Sequence, residues 1–399
     1  MSLCPSCFVV KLRRLMNQPN LAGRPTWAEI DLAALAQNFQ VIKNQIGPDT
    51  KILAAVKANA YGHGAVECAR RLESEGADWF GVALPEEGIE LRQAGITRPI
   101  LCLGGFWPEQ ETALLEHKLT AVAYRLDTIE SLDCAARAAN TTANVHLKID
   151  TGMGRLGVRA DAVSEFCDAL TRFKHIRVEG LMTHLAAADD ESKQQFTDDQ
   201  LSKFESAVAA FRERGFQPTL IHAANSAAAF ANPRARGNMV RPGGSLYGFV
   251  RDVFPSSIDA PALRSVMSLH SRMVLLKNVP KGEYLGYGCT FQTQRDSLIA
   301  TIPIGYDDGY RRALSNMARV IVRGKFAPVV GRVSMDLTLV DVTEVSDVSM
   351  DDHVTLLGHD GECSITAEDL GELAGTISYE ITCGISSRVP RIYKDENPR

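Results

Sequence analysis

Eight short apolar runs, spaced by stretches with helical periodicity, limit what this chain can fold into. The runs are ILAAV (52–56), WFGVAL (79–84), PILCLG (99–104), TAVAY (120–124), NVHLKID (144–150), RVEGLMTH (177–184), TLIHAAN (219–225) and the short NMVRPG (238–243). Between them lie segments such as 161–173 and 194–214, where apolar residues recur at i, i+3 and i+4. Strands that alternate with helices pair in parallel, because each helix carries the chain back across the sheet. Eight such units predict an α/β architecture with an N-terminal (β/α)8 barrel of the TIM type. Ahead of them, PTWAEIDLAAL (25–35) reads as a short strand running into a helix.

Beyond residue 263 the texture changes. VMSLHSRMVLL, SLIATIPI, ARVIVRG, LTLVDV and HVTLLG are rich in β-branched residues and separated by Gly, Pro and Asp turns. Only ITAEDLGELAG (365–375) looks helical there, with Thr366 as N-cap and Asp369 three residues on. The expected division is a head at 1–24 without fixed structure, a barrel at 25–263 and a mainly β domain at 264–399. In the head a short apolar patch precedes the basic cluster, the reverse of a signal peptide, and Met16 is an alternative start. No apolar run reaches the roughly 18 residues of a membrane span. The formal charge of −5 argues against a nucleic-acid or polybasic membrane surface. Nine scattered cysteines give no disulfide framework, and Cys4–Cys7 is a lone C-x-x-C, so the reading is a cytoplasmic protein without a metal site.

Barrels of this kind place their chemistry at the carboxyl ends of the strands. Those ends carry Lys57, Lys148 with Asp150, His184, Asn225 with Ser226, and Arg241. Singly, each has a mundane reading: a solvated lysine, a core histidine, a turn-forming asparagine, a salt-bridged arginine. Together on one rim they favour a site. Ser226 and the Pro242-Gly243-Gly244-Ser245 turn follow strands seven and eight, where such barrels commonly hold a phosphate on backbone N–H groups. A desolvated rim lysine opposite a phosphate cradle suggests pyridoxal 5'-phosphate, with Lys57 forming the Schiff base and Arg241 facing the pyridine nitrogen.

AVKANAYGHG (55–64), HLKIDTGMGRLGV (146–158), GLMTHLAAAD (180–189), HAANSAA (222–228), MVRPGGSLYG (239–248), GYGCTF (286–291), PIGYDDGY (303–310), GRVSMD (331–336) and the ISYEI and SSRVPRIY segments (377–393) follow one another in an order that resembles the alanine racemases. The resemblance implies that Lys57 and Tyr287 are the two catalytic bases, the tyrosine coming from the β domain of a partner subunit in a homodimer. It implies that Tyr61, Ser226, Tyr379 and the backbone at Gly243 and Gly244 hold the phosphate, with Asn225 beside them. Arg155 would contact the cofactor and the substrate carboxylate, and His184 would be hydrogen-bonded behind Arg241. Backbone at Met335 would help bind the carboxylate, while Tyr306, Arg312, Arg332 and Asp336 line the entrance. Lys148 matches a position often carbamylated; a plain Lys148–Asp150 contact is the other reading. The implied activity is L-alanine/D-alanine interconversion supplying peptidoglycan.

Two positions depart from the family pattern. Gly244 stands where many relatives carry a bulky residue, and Ser334 where cysteine is common. Three alternatives stay open: a racemase of wider specificity (serine, lysine or arginine), a related barrel decarboxylase, or a non-catalytic cofactor carrier. A decarboxylase would be expected to offer the pyridine nitrogen a carboxylate rather than Arg241, and a carrier would lack the second domain.

Overall fold

The computed structural model describes residues 23–255 and 259–395, so the Cys4–Cys7 pair and most of the head lie outside the described residues. The chain divides into two units. One takes Ile30–Met267, Thr366–Ile385 and the tail from Tyr393; the other takes the stretch up to Glu29, Ser268–Ile365 and Ser386–Ile392. The longest stretches of the two units meet in sequence at Met267 and Ser268, and the chain passes between units more than once. Residues 366–385, expected in the β domain, join the barrel unit, where the Tyr379 ring packs against Tyr61 and Phe249 at 5.6 and 5.0 Å.

All eight expected strands form. They are Lys51–Ala55, Trp79–Val82, Ile100–Cys102, Leu119–Ala123, Ala143–Asp150, Ile176–Met182, Leu220–His222 and Met239–Val240. Each pairs in parallel with the next from the first to the seventh, and the eighth returns to the first through Met239↔Lys51 and Val240↔Ile52. Among the described residues no ladder joins the seventh and eighth strands. Two backbone bonds span that gap, Asn238 N–H to Ile221 O at 3.1 Å and Arg241 N–H to Ala224 O at 3.0 Å. The barrel is filled by Leu53, Trp79, Leu101, Val122, Met182, Leu220 and Met239, one from each strand except the fifth. The fifth strand contributes His146 instead, its ring 5.2 Å from Trp79.

In the second unit a sheet runs in the order Lys325–Pro328, Arg319–Val322, His353–Asp360, Met267–Arg272, Thr26–Asp31, Arg391–Lys394. A three-stranded sheet (Leu275–Val279, Ser297–Ile302, Thr338–Asp341) and the hairpin Tyr284–Leu285/Phe291–Gln292 complete it. The helix read at 365–375 is Ala367–Ala374, and its capping box forms: Thr366 Oγ1 accepts from Asp369 N–H at 3.1 Å while Asp369 returns a bond to Thr366 N–H at 2.8 Å. A second helix, Ser378–Gly384, follows it. Its sequence SYEITCG hides it, because Tyr, Ile and Thr are poor helix formers and seven residues give too little periodicity. No described helix is long and apolar enough to cross a membrane.

Leu101 is fully buried in the barrel cluster. Leu101→Ala should therefore lower unfolding free energy by about 2–5 kcal/mol, read from urea denaturation; a loss near zero would place this cluster outside the load-carrying core.

Candidate active site

At the carboxyl ends of the barrel strands lies a cavity of about 730 Å³ lined by Lys57, Tyr61, Lys148, Arg155, His184, Asn225, Ser226, Arg241, Gly243, Gly244 and Tyr379. A second groove, of about 630 Å³, runs along the helix Gln194–Glu213 and is mostly apolar. Its ionisable residues are Glu205, Arg212, Glu213 and Arg234, and Arg234 is already paired with Glu205 at 2.7 Å, so the chemistry points to the first.

Lys57 ends the first barrel strand's run, and the chain after it turns the wrong way for L-residues. Ala58, Asn59, Ala60 and Tyr61 all have φ between 52° and 55°. Such a conformation costs roughly 1–2 kcal/mol per residue. It is held by Ala60 N–H to Val56 O (2.8 Å), Gly62 N–H to Ala58 O (3.0 Å) and Gly64 N–H to Asn59 O (2.9 Å). The result aims Lys57 and Tyr61 into the same cavity. Burial first, then the Arg155 cation, holds the Lys57 ammonium below the ordinary lysine pKa, with Glu87 and Cys383 acting in the other direction.

Arg241 is buried, and its surroundings are unusual. Its Nη1 donates to His222 Nδ1 (3.1 Å) and His222 O (2.9 Å). Its Nη2 donates to Thr183 O (2.7 Å), Ala223 O (3.0 Å) and, at longer range, His184 Nδ1 (3.4 Å). Among the described residues no carboxylate reaches it. These contacts take up both Nη groups, so Nε–H is the donor left for a ligand. Burial brings the guanidinium down to about 10, still a cation at neutral pH.

His184 does make the expected contact, but His222, which the sequence reading passed over, makes the closer one. Because arginine can only donate, His222 Nδ1 must accept, which puts its proton on Nε2. That proton is donated to His146 Nδ1 at 2.9 Å. Burial and the Arg241 charge depress the pKa of all three histidines, His146 and His184 to about 3, so the network is neutral apart from the arginine.

Lys148 is buried, and burial followed by the Arg155 and Arg241 charges lowers its ammonium to about 8. Asp150 opposes that shift as a charge, yet its carboxylate is used elsewhere. Its Oδ1 accepts from Gly152 and Gly154 N–H, both at 3.0 Å, and so shapes the loop that carries Arg155.

The phosphate-sized end of the cavity is built on two glycines. A Cβ placed on Gly243 would collide with Tyr61 Oη, and one on Gly244 with Tyr379 Oη. Ser226 Oγ accepts from Gly243 N–H (2.9 Å) and Ser245 N–H (3.3 Å). Asn225 caps the helix Ser226–Ala231 through Ala228 N–H (3.0 Å), fixing where Ser226 begins. Burial pushes both tyrosine phenols well above their ordinary range, so they remain protonated donors. Three hydroxyls and adjacent backbone N–H groups thus converge, which fits a phosphate. Asp189 and Asp252 also line the cavity, and after burial their charges add to the upward shift of the Tyr379 phenol, Asp252 while accepting from Ser378 N–H at 2.6 Å.

Tyr287, Tyr306, Met335 and Asp336 belong to the other unit. Tyr287 sits between Gly286 and Gly288, both at φ 72°, and is 72% exposed. Tyr306 N–H bonds Ser334 O (3.0 Å), pairing its loop with that of Met335, and Asp336 is held by Arg388 at 2.6 Å. Arg332 packs beside Gly288. Among the described residues no group of three or more His, Cys, Asp or Glu side chains is arranged for a metal.

Comparison with known proteins agrees with this geometry. The family model for the alanine racemase N-terminal domain matches residues 30–250, and that for the C-terminal domain matches 266–393. An alanine racemase of Geobacter sulfurreducens is 48% identical over 383 residues, covering 94% of this chain and 99% of the relative. One from Methanococcus maripaludis is 41% identical, covering 94% and 100%. Among solved structures, an alanine racemase from Clostridium difficile 630 superposes with a TM-score of 0.86 at 38% identity, covering 94% of this chain and 97% of that one. A Bacillus anthracis alanine racemase with bound L-Ala-P gives 0.86 at 35% identity, covering 93% and 95%. With both halves matched over nearly their full length, the chain belongs to the alanine racemase family.

Proposed function

We propose that this protein interconverts L-alanine and D-alanine by a two-base proton exchange, with pyridoxal 5'-phosphate held at the barrel mouth, and so supplies D-alanine for peptidoglycan. The observation that carries this reading is Arg241, a buried cation with no carboxylate partner among the described residues, whose remaining donor is Nε–H. A barrel decarboxylase would be expected to put an acid there.

When bound, the cofactor supplies electron withdrawal that makes the substrate α-hydrogen acidic. Tyr61, Ser226, Tyr379 and the N–H groups of Gly243 and Gly244 would hold its phosphate. Arg241 keeps its own proton, since even its lowered pKa stays near 10, and so it would hydrogen-bond the pyridine nitrogen without protonating it. That would moderate the withdrawal and disfavour decarboxylation and transamination. Arg155, with the backbone at Met335, would take the substrate carboxylate; Tyr306 and Asp336 would restrict the entrance.

Racemisation must remove a proton from one face of a carbon and return it to the other, so one base is poorly suited to it. Lys57, its pKa lowered by burial, is the amine on one face. Tyr287 would be the phenol on the other, delivered by the second copy of a homodimer. Its exposure, with Tyr284 at 59%, Met335 at 50% and Leu337 at 45% in the same unit, supports a surface that a partner covers. Lys148, with a pKa near 8, has an appreciable neutral fraction at pH 7–8. The neutral amine is the form that adds CO₂, and a carbamate there would give Arg155 an anionic neighbour.

Three outcomes are expected. Tyr287→Phe should slow racemisation by about 10²–10⁴, while α-proton exchange with D₂O continues from one enantiomer only, as followed by NMR; unchanged interconversion would end the two-base reading. Gly243→Ala should displace Tyr61 and weaken pyridoxal phosphate retention roughly 10–100-fold in equilibrium dialysis, without loss of fold. Incubation with ¹³C-bicarbonate should yield a carbamate carbonyl resonance that is missing in Lys148→Gln; its absence from the parent protein would leave Lys148 an unmodified amine.

A further inference from the structure

Glu87 lies outside every role so far assigned, yet its carboxylate joins the exits of two barrel strands. It stands in the first turn of the helix Pro85–Gln93, which follows the second strand. Its Oε2 accepts from Ala83 N–H (2.6 Å) and Leu84 N–H (3.2 Å), the capping interaction expected of an acid at the third helical position. Capping needs only one oxygen. The other, Oε1, crosses to the neighbouring loop and accepts from Ala58 N–H at 2.7 Å.

Ala58 is the residue after Lys57 and the first of the left-handed turn. The opening N–H groups of any helical turn lack partners within it, and an external acceptor is what fixes the entry. Here that acceptor is charged, which makes the bond stronger than a neutral one.

We propose that Glu87 is a positioning residue for Lys57: it pins the entry of the left-handed turn through Ala58 N–H and sets a fixed negative charge beside the amine. This rests on Lys57 being the reacting amine. Of the groups acting most strongly on Lys57, Arg155 and Arg241 oppose its ammonium form, while Glu87 and the Cys383 thiol favour it. Lys148 and His184 also face this amine. Glu87 also acts on the buried Cys102 thiol, which is pushed up by burial first and then by the Glu87 and Glu86 charges.

Glu87→Gln separates this role from simple capping. Glutamine still caps a helix at this position, but its carbonyl can serve either Ala58 or the Ala83–Leu84 pair, since its other end is a donor. The test uses the full-length chain freed of cofactor with hydroxylamine, with competitive acetic anhydride labelling of Lys57 across pH and peptide mapping. Loss of the negative charge favours the neutral amine, so the labelling midpoint of Glu87→Gln should move to lower pH by about 1 unit. Amide exchange at Ala58–Tyr61 should quicken in the same variant. Glu87→Asp keeps the charge on a shorter arm, so its midpoint should stay nearer the parent's while exchange still quickens. A midpoint unmoved in Glu87→Gln, with only a lower Tm and slower racemisation, would reduce Glu87 to a cap and overturn the proposal. Lys57→Ala is the separate control: racemisation at the parent rate in that variant would remove the reading on which this stands, whereas an inactive Lys57→Ala beside an unmoved Glu87→Gln midpoint would defeat the Glu87 role alone.

Discussion

The interaction on which the rest depends is the suspension of the Arg241 guanidinium by carbonyls and a neutral histidine, with no anion in reach among the described residues. Isolated charge in a protein interior costs several kcal/mol even after relaxation. Three carbonyl acceptors and two imidazoles offset part of that. The arrangement also dictates tautomers two residues deep, through His222 to His146, so the interior of the barrel is polarised toward the mouth. A carboxylate in the same place would neutralise the arginine and change what any ligand nitrogen meets there.

Lys57 shows the complementary strategy. There the local field is set by opposing groups: burial and two arginines against one acid and one thiol. The backbone geometry that presents the amine is itself uphill, four L-residues in a left-handed turn. The strain is tolerable because the turn is tied on both sides, by its own hydrogen bonds and by Glu87 from the next loop. Strained backbone at a site of chemistry is a common pattern, since a relaxed chain would not hold a side chain so firmly.

Much of this was legible in the sequence, for identifiable reasons. The eight strands could be read because parallel strands buried on both faces appear as continuous apolar runs. The rim residues could be read because ionisable groups at strand ends stand out against those runs. His222 escaped because it falls inside an expected strand, where a histidine reads as core. Glu87 escaped because a glutamate in the first turn of a helix is the most ordinary of observations. The left-handed turn has no local signature: Ala58 and Ala60 are strong formers of the opposite hand, and only tertiary ties reverse them. The helix carrying Tyr379 was hidden by its shortness and β-prone composition.

The gap between the seventh and eighth strands has a consequence of its own. Ser226 follows one of these strands and Gly243 and Gly244 follow the other, so an anion gripped by both would stitch the barrel along its weakest seam. Ligand that binds only the closed form adds its binding free energy to the whole domain. An anion loaded there would then also help to close the barrel itself.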